Sequence, residues 1–148
     1  MTSWDETFMN MADVMACRSK DPVTKVGAII VDTKNRILGA GYNGLPRGCH
    51  DREFPWGKDP HNPYNSKSLY VIHAECNAIH NCPNQHDLEG GTMYVTLRPC
   101  HNCAKDIIQS GIKRVIYRDE YPKRDSVMAA DRMFKAAGIL VIKFIKDS

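Results

Sequence analysis

Residues 73–103 read HAECNAIHNCPNQHDLEGGTMYVTLRPCHNC, and the rest of the chain has to be built around them. The stretch opens on His73, Ala74 and Glu75 and closes on Pro99, Cys100, His101, Asn102 and Cys103. Two cysteines three residues apart on a helix lie about 60 degrees from one another, so both thiols can reach one metal ion. His73 and Glu75 are two apart and would diverge by about 200 degrees in mid-helix. They can converge only if a helix begins there and both side chains lean over its open end. Between the two motifs, Thr92 to Leu97 is β-branched and aromatic, the composition of a strand. The stretch therefore predicts helix, strand, helix, with a metal site where the two helices begin. One imidazole and two thiolates make three ligands. Catalytic zinc keeps three protein ligands and leaves its fourth position to water, whereas structural zinc closes the tetrahedron with a fourth Cys or His. Here the fourth nearby group is the carboxylate of Glu75, which is more useful moving protons than holding metal. Helix N-termini favour thiolates, and zinc brings the pKa of its water down toward about 7.

Working outward from this stretch, Ser3 and Glu6 read as a capping box. Trp4, Phe8, Met11 and Met15 follow at helical spacing, which predicts a first helix to about Arg18. Asp21 and Pro22 break it. Val26 to Val31 is a short apolar run, and the turn residues Asp32, Lys34 and Asn35 lead into a second strand over Arg36 to Gly41. From Asn43 to about Tyr70, Gly44, Pro46, Gly48, Pro55, Gly57, Pro60 and Pro63 punctuate a long loop, and a loop of that length in a compact domain points to a function or to contact with a ligand or subunit. Asn84 to Gly91 reads as a polar connection. Beyond Cys103 the expected order is a helix to Ser110, a strand Lys113 to Tyr117, a helix Asp125 to Ala137 and a strand Gly138 to Ile145. Gly111 and Gly138 stand where helices should stop. Strand, helix, strand, helix, strand with short links implies parallel strands with right-handed crossovers. The expectation is a single domain over residues 1–148, of the α/β class: a three-layer α/β/α sandwich around a mixed five-stranded sheet, its first two strands an antiparallel hairpin.

Composition narrows the function classes. A chain of 148 residues can bury a real core as one domain. Its apolar runs are far shorter than the roughly 20 residues of a membrane-spanning helix, and no signal-peptide pattern opens it. A soluble, cytoplasmic protein is expected. Two of the six cysteines form the C-x-x-C pattern, so reduced thiols are expected rather than a disulfide framework. Cys76, three after His73, reads as buried on its helix, and Cys17 and Cys82 as small core or surface residues. A net charge of +3 without a basic block suits a small anionic substrate better than a nucleic acid polymer.

The H-x-E and P-C-x-x-C pair is the signature of the zinc-dependent deaminases. Beyond it the chain resembles the deoxycytidylate (dCMP) deaminase family, in the form shared by animals and some phages. The resemblance rests on Arg18 to Pro22, on Val26, Gly27 and Ala28, and on the loop Gly41 to Cys49. It continues through His73 to Ile79, Thr92 to Val95, and Cys103, Ala104 and Lys105. It implies hydrolytic conversion of dCMP to dUMP for thymidylate synthesis, with Glu75 as proton shuttle and His73, Cys100 and Cys103 on one zinc ion. It also implies a homo-hexamer, activated by dCTP with Mg²⁺ and inhibited by dTTP. By this likeness Asn43, Ala74 and Tyr121 are expected at the substrate, and Gly41, Tyr42, Gly44, Arg47 and Gly48 in the regulatory nucleotide pocket. Lys20, Lys25 and Arg98 stand beside element ends that should border the site and are the candidate phosphate cations. Cys49, His50 and His61 leave a second metal open. Val71 and Ile72, where some phage members carry an acidic ligand, favour a single zinc. Two other functions fit the motifs: a polynucleotide deaminase, for which no basic groove with stacking aromatics is visible, and a non-enzymatic zinc module closed by His101 or Cys76.

Overall fold

The computed structural model describes residues 1–146. Helix α1 spans Trp4–Ala16, and Ser3 caps it, its Oγ accepting from the Glu6 amide at 3.1 Å. The helix ends before Arg18, and its buried face is Phe8, Met9, Ala12 and Ala16. Trp4 lies outside that face, 59 % exposed and stacked on the ring of Phe8. Strands β1 (Gly27–Val31) and β2 (Ile37–Tyr42) form the expected hairpin, with a register shift at Ile30/Val31. Helix α2 (Ala74–His80) and strand β3 (Thr92–Leu97) follow. Then come α3 (His101–Gln109), β4 (Arg114–Asp119), α4 (Arg124–Ala136) and β5 (Leu140–Lys143).

The sheet order is β2-β1-β3-β4-β5, with β1 antiparallel to both neighbours and β3, β4 and β5 mutually parallel. It is the mixed five-stranded α/β arrangement expected from the sequence. β1 is buried along its whole length because both faces are covered. Ile29 and Val31 pack with Tyr94 and Ile116 under Phe8, Met9 and Ala12 of α1. Ala28 and Ile30 pack with Met93, Val95 and Val115 on the opposite side, under Ala74, Ala78, Ala104, Ile107 and Phe134 of α2, α3 and α4. One helix thus lies on one face and three on the other.

Some departures from the sequence reading have local reasons. The connection before β3 contains a 3-10 turn, Gln85–Leu88, whose Leu88 is fully buried, so it is not a purely polar link. Strand β5 starts at Leu140, because Gly138 (φ 73°) is the left-handed residue that closes α4 and Ile139 donates its N–H back to the Phe134 carbonyl at 2.9 Å. Gly111 (φ 88°) closes α3 as expected. No described helix is long and apolar enough to cross a membrane.

Candidate metal and catalytic site

Both helices that carry the ligands begin at the site. His73 is the N-cap of α2, with extended backbone (φ −68°, ψ 153°), and Cys100 is the N-cap of α3 (φ −74°, ψ 171°). Because His73 lies outside the helical geometry, the divergence expected in mid-helix does not apply, and its ring shares the helix end with Glu75. Two features fix this entry. A single antiparallel bridge joins Gly44 to Ile72, the residue just before His73, through both of its hydrogen bonds (3.1 and 2.8 Å). On the other side, Leu97 of β3 stands opposite Asp119 of β4, so the chain leaves toward Cys100 and toward Tyr121 from the same end of the sheet.

His73 Nδ1 lies 3.1 Å from Cys103 Sγ and 3.5 Å from Cys100 Sγ, and the three donor atoms are within 4.8 Å of one another. A tetrahedral zinc bonded to sulfur at about 2.3 Å and nitrogen at about 2.0 Å needs donor separations of about 3.5–3.8 Å, so this set fits the ion with small adjustments. Among the described residues this is the one cluster of three or more His, Cys, Asp or Glu close enough to hold a metal. It does not include Cys49, His50 or His61. His101 is turned away, its Nδ1 2.8 Å from Ser126 Oγ. Cys76 is half-buried rather than buried and bonds Asp106 Oδ2 at 3.1 Å. Neither closes the tetrahedron.

The electrostatics suit the chemistry. In the metal-free protein a hydrogen bond from Cys103, helped by the His73 imidazolium, holds the Cys100 thiol down to about 3, and the bond to Cys100 raises His73 to about 9. Cys103 is pushed strongly up by that same pairing. Glu75 is 4 % exposed, and burial raises its carboxyl from the usual 4.5 to about 7, against the pull of positive His73. A carboxyl poised at neutral pH can both take and return a proton. Tyr121 is half-buried two residues beyond Asp119, at the end of the sheet from which the chain also reaches Cys100, and its phenol is raised first by burial.

The other sequence candidates divide. Asn43 is buried with both ends of its amide engaged, Oδ1 accepting from Val26 N and Nδ2 donating to the Thr24 carbonyl, both at 2.9 Å. It ties the segment before β1 to the loop after β2. Lys25 is exposed, and Lys20 is exposed and paired with Asp51 at 2.7 Å. Arg98 is not a free cation. Its guanidinium takes Asp131 with both carboxylate oxygens (2.8 and 3.0 Å), Glu120 at 2.9 Å and the Tyr117 hydroxyl at 3.0 Å, which spends its charge on groups of the protein itself. At Gly41 a built Cβ would lie 2.6 Å from the Ala74 carbonyl oxygen and 2.8 Å from the Asn77 carbonyl carbon, so this glycine lets α2 sit directly on β2. Tyr42 and Gly44 are half-buried, while Arg47 and Gly48 are exposed.

The sequence reading missed the pair of buried Asp21 with half-buried Lys67, in which Lys67 Nζ bonds both carboxylate oxygens at 2.8 Å. Asp21 also accepts from the amides of Val23 and Thr24, so the pair binds the long loop to the segment that Asn43 holds. Asp21 had a visible signal as a turn-forming Asp before Pro22. Lys67, 46 residues away, had none.

The family described as the cytidine and deoxycytidylate deaminase zinc-binding region matches residues 2–119. The chain is 50 % identical over 143 residues to a human protein named deoxycytidylate deaminase, covering 96 % of this chain and 80 % of that one. It is 39 % identical to the deoxycytidylate deaminase of Mycobacterium phage D29, covering 79 % and 95 %. Its structure resembles that of the cyanophage S-TIM5 dCMP deaminase in complex with dCMP and dUMP, with a TM-score of 0.75, 30 % identity, and 94 % and 95 % of the two chains covered. With its His-Cys-Cys cluster at two helix N-termini and this likeness along nearly its whole length, the chain belongs to the cytidine and deoxycytidylate deaminase family of zinc-dependent hydrolases.

Proposed function

We propose that this protein deaminates dCMP, converting dCMP and water to dUMP and ammonia and so supplying dUMP for thymidylate synthesis. The observation that carries the reading is the buried carboxyl of Glu75 beside a three-donor metal cluster, in a chain half identical to proteins named deoxycytidylate deaminase. His73, Cys100 and Cys103 would hold the zinc. When bound, the ion supplies a Lewis acid that makes a water molecule acidic enough to attack at neutral pH. Glu75 takes the proton from that water as its oxygen adds to carbon 4 of the cytosine ring, and returns it to the adjacent ring nitrogen. The proton of the new carbon-4 hydroxyl then passes through Glu75 to the exocyclic amine, the carbonyl forms as the carbon–nitrogen bond breaks, and ammonia leaves. The amide of Ala74, in the first turn of α2, has no partner within the helix and would orient the base. Tyr121 would pack beside the nucleotide, and Asn43 would act at the sugar through the segment it anchors. Lys20 and Lys25 remain the cations offered to the phosphate.

By the same reading the protein works in the cytoplasm as a homo-hexamer. dCTP with Mg²⁺ activates it and dTTP opposes activation, through a pocket to which Tyr42, Gly44, Arg47 and Gly48 contribute. Ammonia release from dCMP, deoxycytidine and dCTP at equal concentration tests the activity. Turnover of dCMP alone is expected. Preference for the nucleoside would overturn the phosphate assignments, and turnover of none of them, even with dCTP present, would favour an oligonucleotide substrate. Sigmoidal dCMP kinetics, made hyperbolic by dCTP and Mg²⁺, are the expected sign of regulation.

A further inference from the structure

Arg98 stands one residue before Pro99 and two before the cluster cysteine Cys100. Its backbone N–H donates to the Asp119 carbonyl at 2.8 Å, closing the last rung between β3 and β4. From there its guanidinium reaches in three directions. One nitrogen, Nη1, bonds Glu120, the residue before Tyr121, together with the hydroxyl of Tyr117 on β4. The other, Nη2, grips both oxygens of Asp131 on α4. Its carbon lies 4.7 Å from the centre of the Tyr117 ring. Glu120 is itself doubly held, its second oxygen accepting from the Tyr117 hydroxyl at 3.0 Å. The side chain of Arg98 is only 19 % exposed, whereas Glu120 and Asp131 are about half exposed, so the arginine is the enclosed hub and the carboxylates are its rim.

Among the described residues, segment 120–123 has few other ties, and it leads directly into exposed Lys123 and Arg124 at the start of α4. Without the guanidinium, Glu120 would keep the Tyr117 hydroxyl and a long 3.6 Å approach from Lys143. A planar five-donor guanidinium can hold two carboxylates and a phenol in fixed directions at once, which an ammonium cannot.

We infer that Arg98 is a positioning residue for the deamination, a clamp that fixes segment 120–123 and thereby seats Tyr121 over the site while leaving the metal ligands in place. The inference rests on the dCMP reading only where substrate kinetics are used. It assigns to Arg98 a part in substrate binding exerted through Glu120 and Tyr121, with no contact to the phosphate.

The test compares zinc-loaded Arg98→Met, Arg98→Lys, Glu120→Gln and Asp131→Asn with the wild type by three readouts: KM and kcat for dCMP, zinc content, and the rate of trypsin cleavage after Lys123 or Arg124 under native conditions. Arg98→Met is expected to keep its zinc, to raise KM more than it lowers kcat, and to be cleaved about tenfold faster or more, the effect of losing one charge-assisted hydrogen bond on local opening. Arg98→Lys, which restores the charge without the fork, should recover only part of each change, and Glu120→Gln should reproduce the KM and cleavage changes more strongly than Asp131→Asn. A folded Arg98→Met protein that melts earlier yet keeps wild-type KM and wild-type cleavage overturns the inference. Should that variant fail to fold, wild-type KM and cleavage in Glu120→Gln overturn it. Absence of dCMP turnover by the wild type would refute the dCMP reading alone, since the cleavage comparison still decides whether the clamp exists.

Discussion

Gly41→Ala places a methyl group in the contact between β2 and α2, and its consequence can be worked from distances. The new carbon would lie 2.6 Å from the Ala74 carbonyl oxygen and 2.8 Å from the Asn77 carbonyl carbon, with the Ala78 amide nitrogen also inside contact distance. All of these are backbone atoms and cannot swing away. To reach ordinary separations α2 must withdraw from the sheet by about 1 Å, a displacement felt at its N-terminal end, which carries His73 and Glu75. Overpacking of this kind costs about 1–3 kcal/mol of stability. A displacement of about 1 Å at reacting groups can lower the rate about 100-fold. Urea unfolding and steady-state deamination measured on the same preparation should show both losses. Gly39→Ala clashes with the Ala78 carbonyl, nearer the far end of α2, and should cost similar stability with a smaller loss of rate. Gly57, with open space around its Cβ position, supplies the neutral control. A Gly41→Ala protein of unchanged stability and rate would refute the close-packing argument. A change confined to the dCTP response would tie Gly41 to the regulatory pocket instead.

Glu75→Gln should lower kcat by about 100- to 10,000-fold with zinc retained. It should also stabilise the metal-free protein at high pH. Burial raises the Glu75 carboxyl from 4.5 to about 7, so the native state is favoured while the group is protonated, and that advantage is lost as pH rises through about 7. Urea unfolding should therefore show the wild type falling behind Glu75→Gln by about 3 kcal/mol between pH 4.5 and 8, with no difference below 4.5. Lys67→Met leaves the Asp21 carboxylate buried without its cation and should cost about 3–5 kcal/mol at neutral pH by chemical denaturation. Burial opposes ionisation of Asp21 but Lys67 and two backbone amides outweigh it, so the stabilisation exists above the usual 3.8 and should disappear as pH falls below that value. Zinc added to the metal-free protein at pH 7 should release about two protons, from the His73 imidazolium and the Cys103 thiol, measurable by calorimetry in buffers of different ionisation enthalpy. Release near zero would mean that the ligands are already deprotonated.

The local pattern marked the three residues that meet as the metal cluster, and set the order of elements. H-x-E and C-x-x-C specify chemistry through residue type and spacing, and the requirement that His73 and Glu75 converge placed them at a helix start, where the N-cap geometry of His73 now puts them. Alternating apolar runs and the glycine stops at Gly111 and Gly138 determined the strands and helices of the C-terminal half, since these signals act over a few residues. Tertiary structure decided which partners each charge has and how enclosed it is, and which glycines serve packing. Arg98 and Lys20 look alike in sequence as cations beside element ends. The partners of Arg98, Glu120 and Asp131, lie 22 and 33 residues away and meet it only because β3 and β4 run parallel and α4 folds back over them. Gly41 opens a stretch on which the family resemblance rests, and only the packing of β2 against α2 shows that a methyl group there would strike backbone. Side-chain pairing across long sequence separations depends on how whole elements pack, and no residue states that alone.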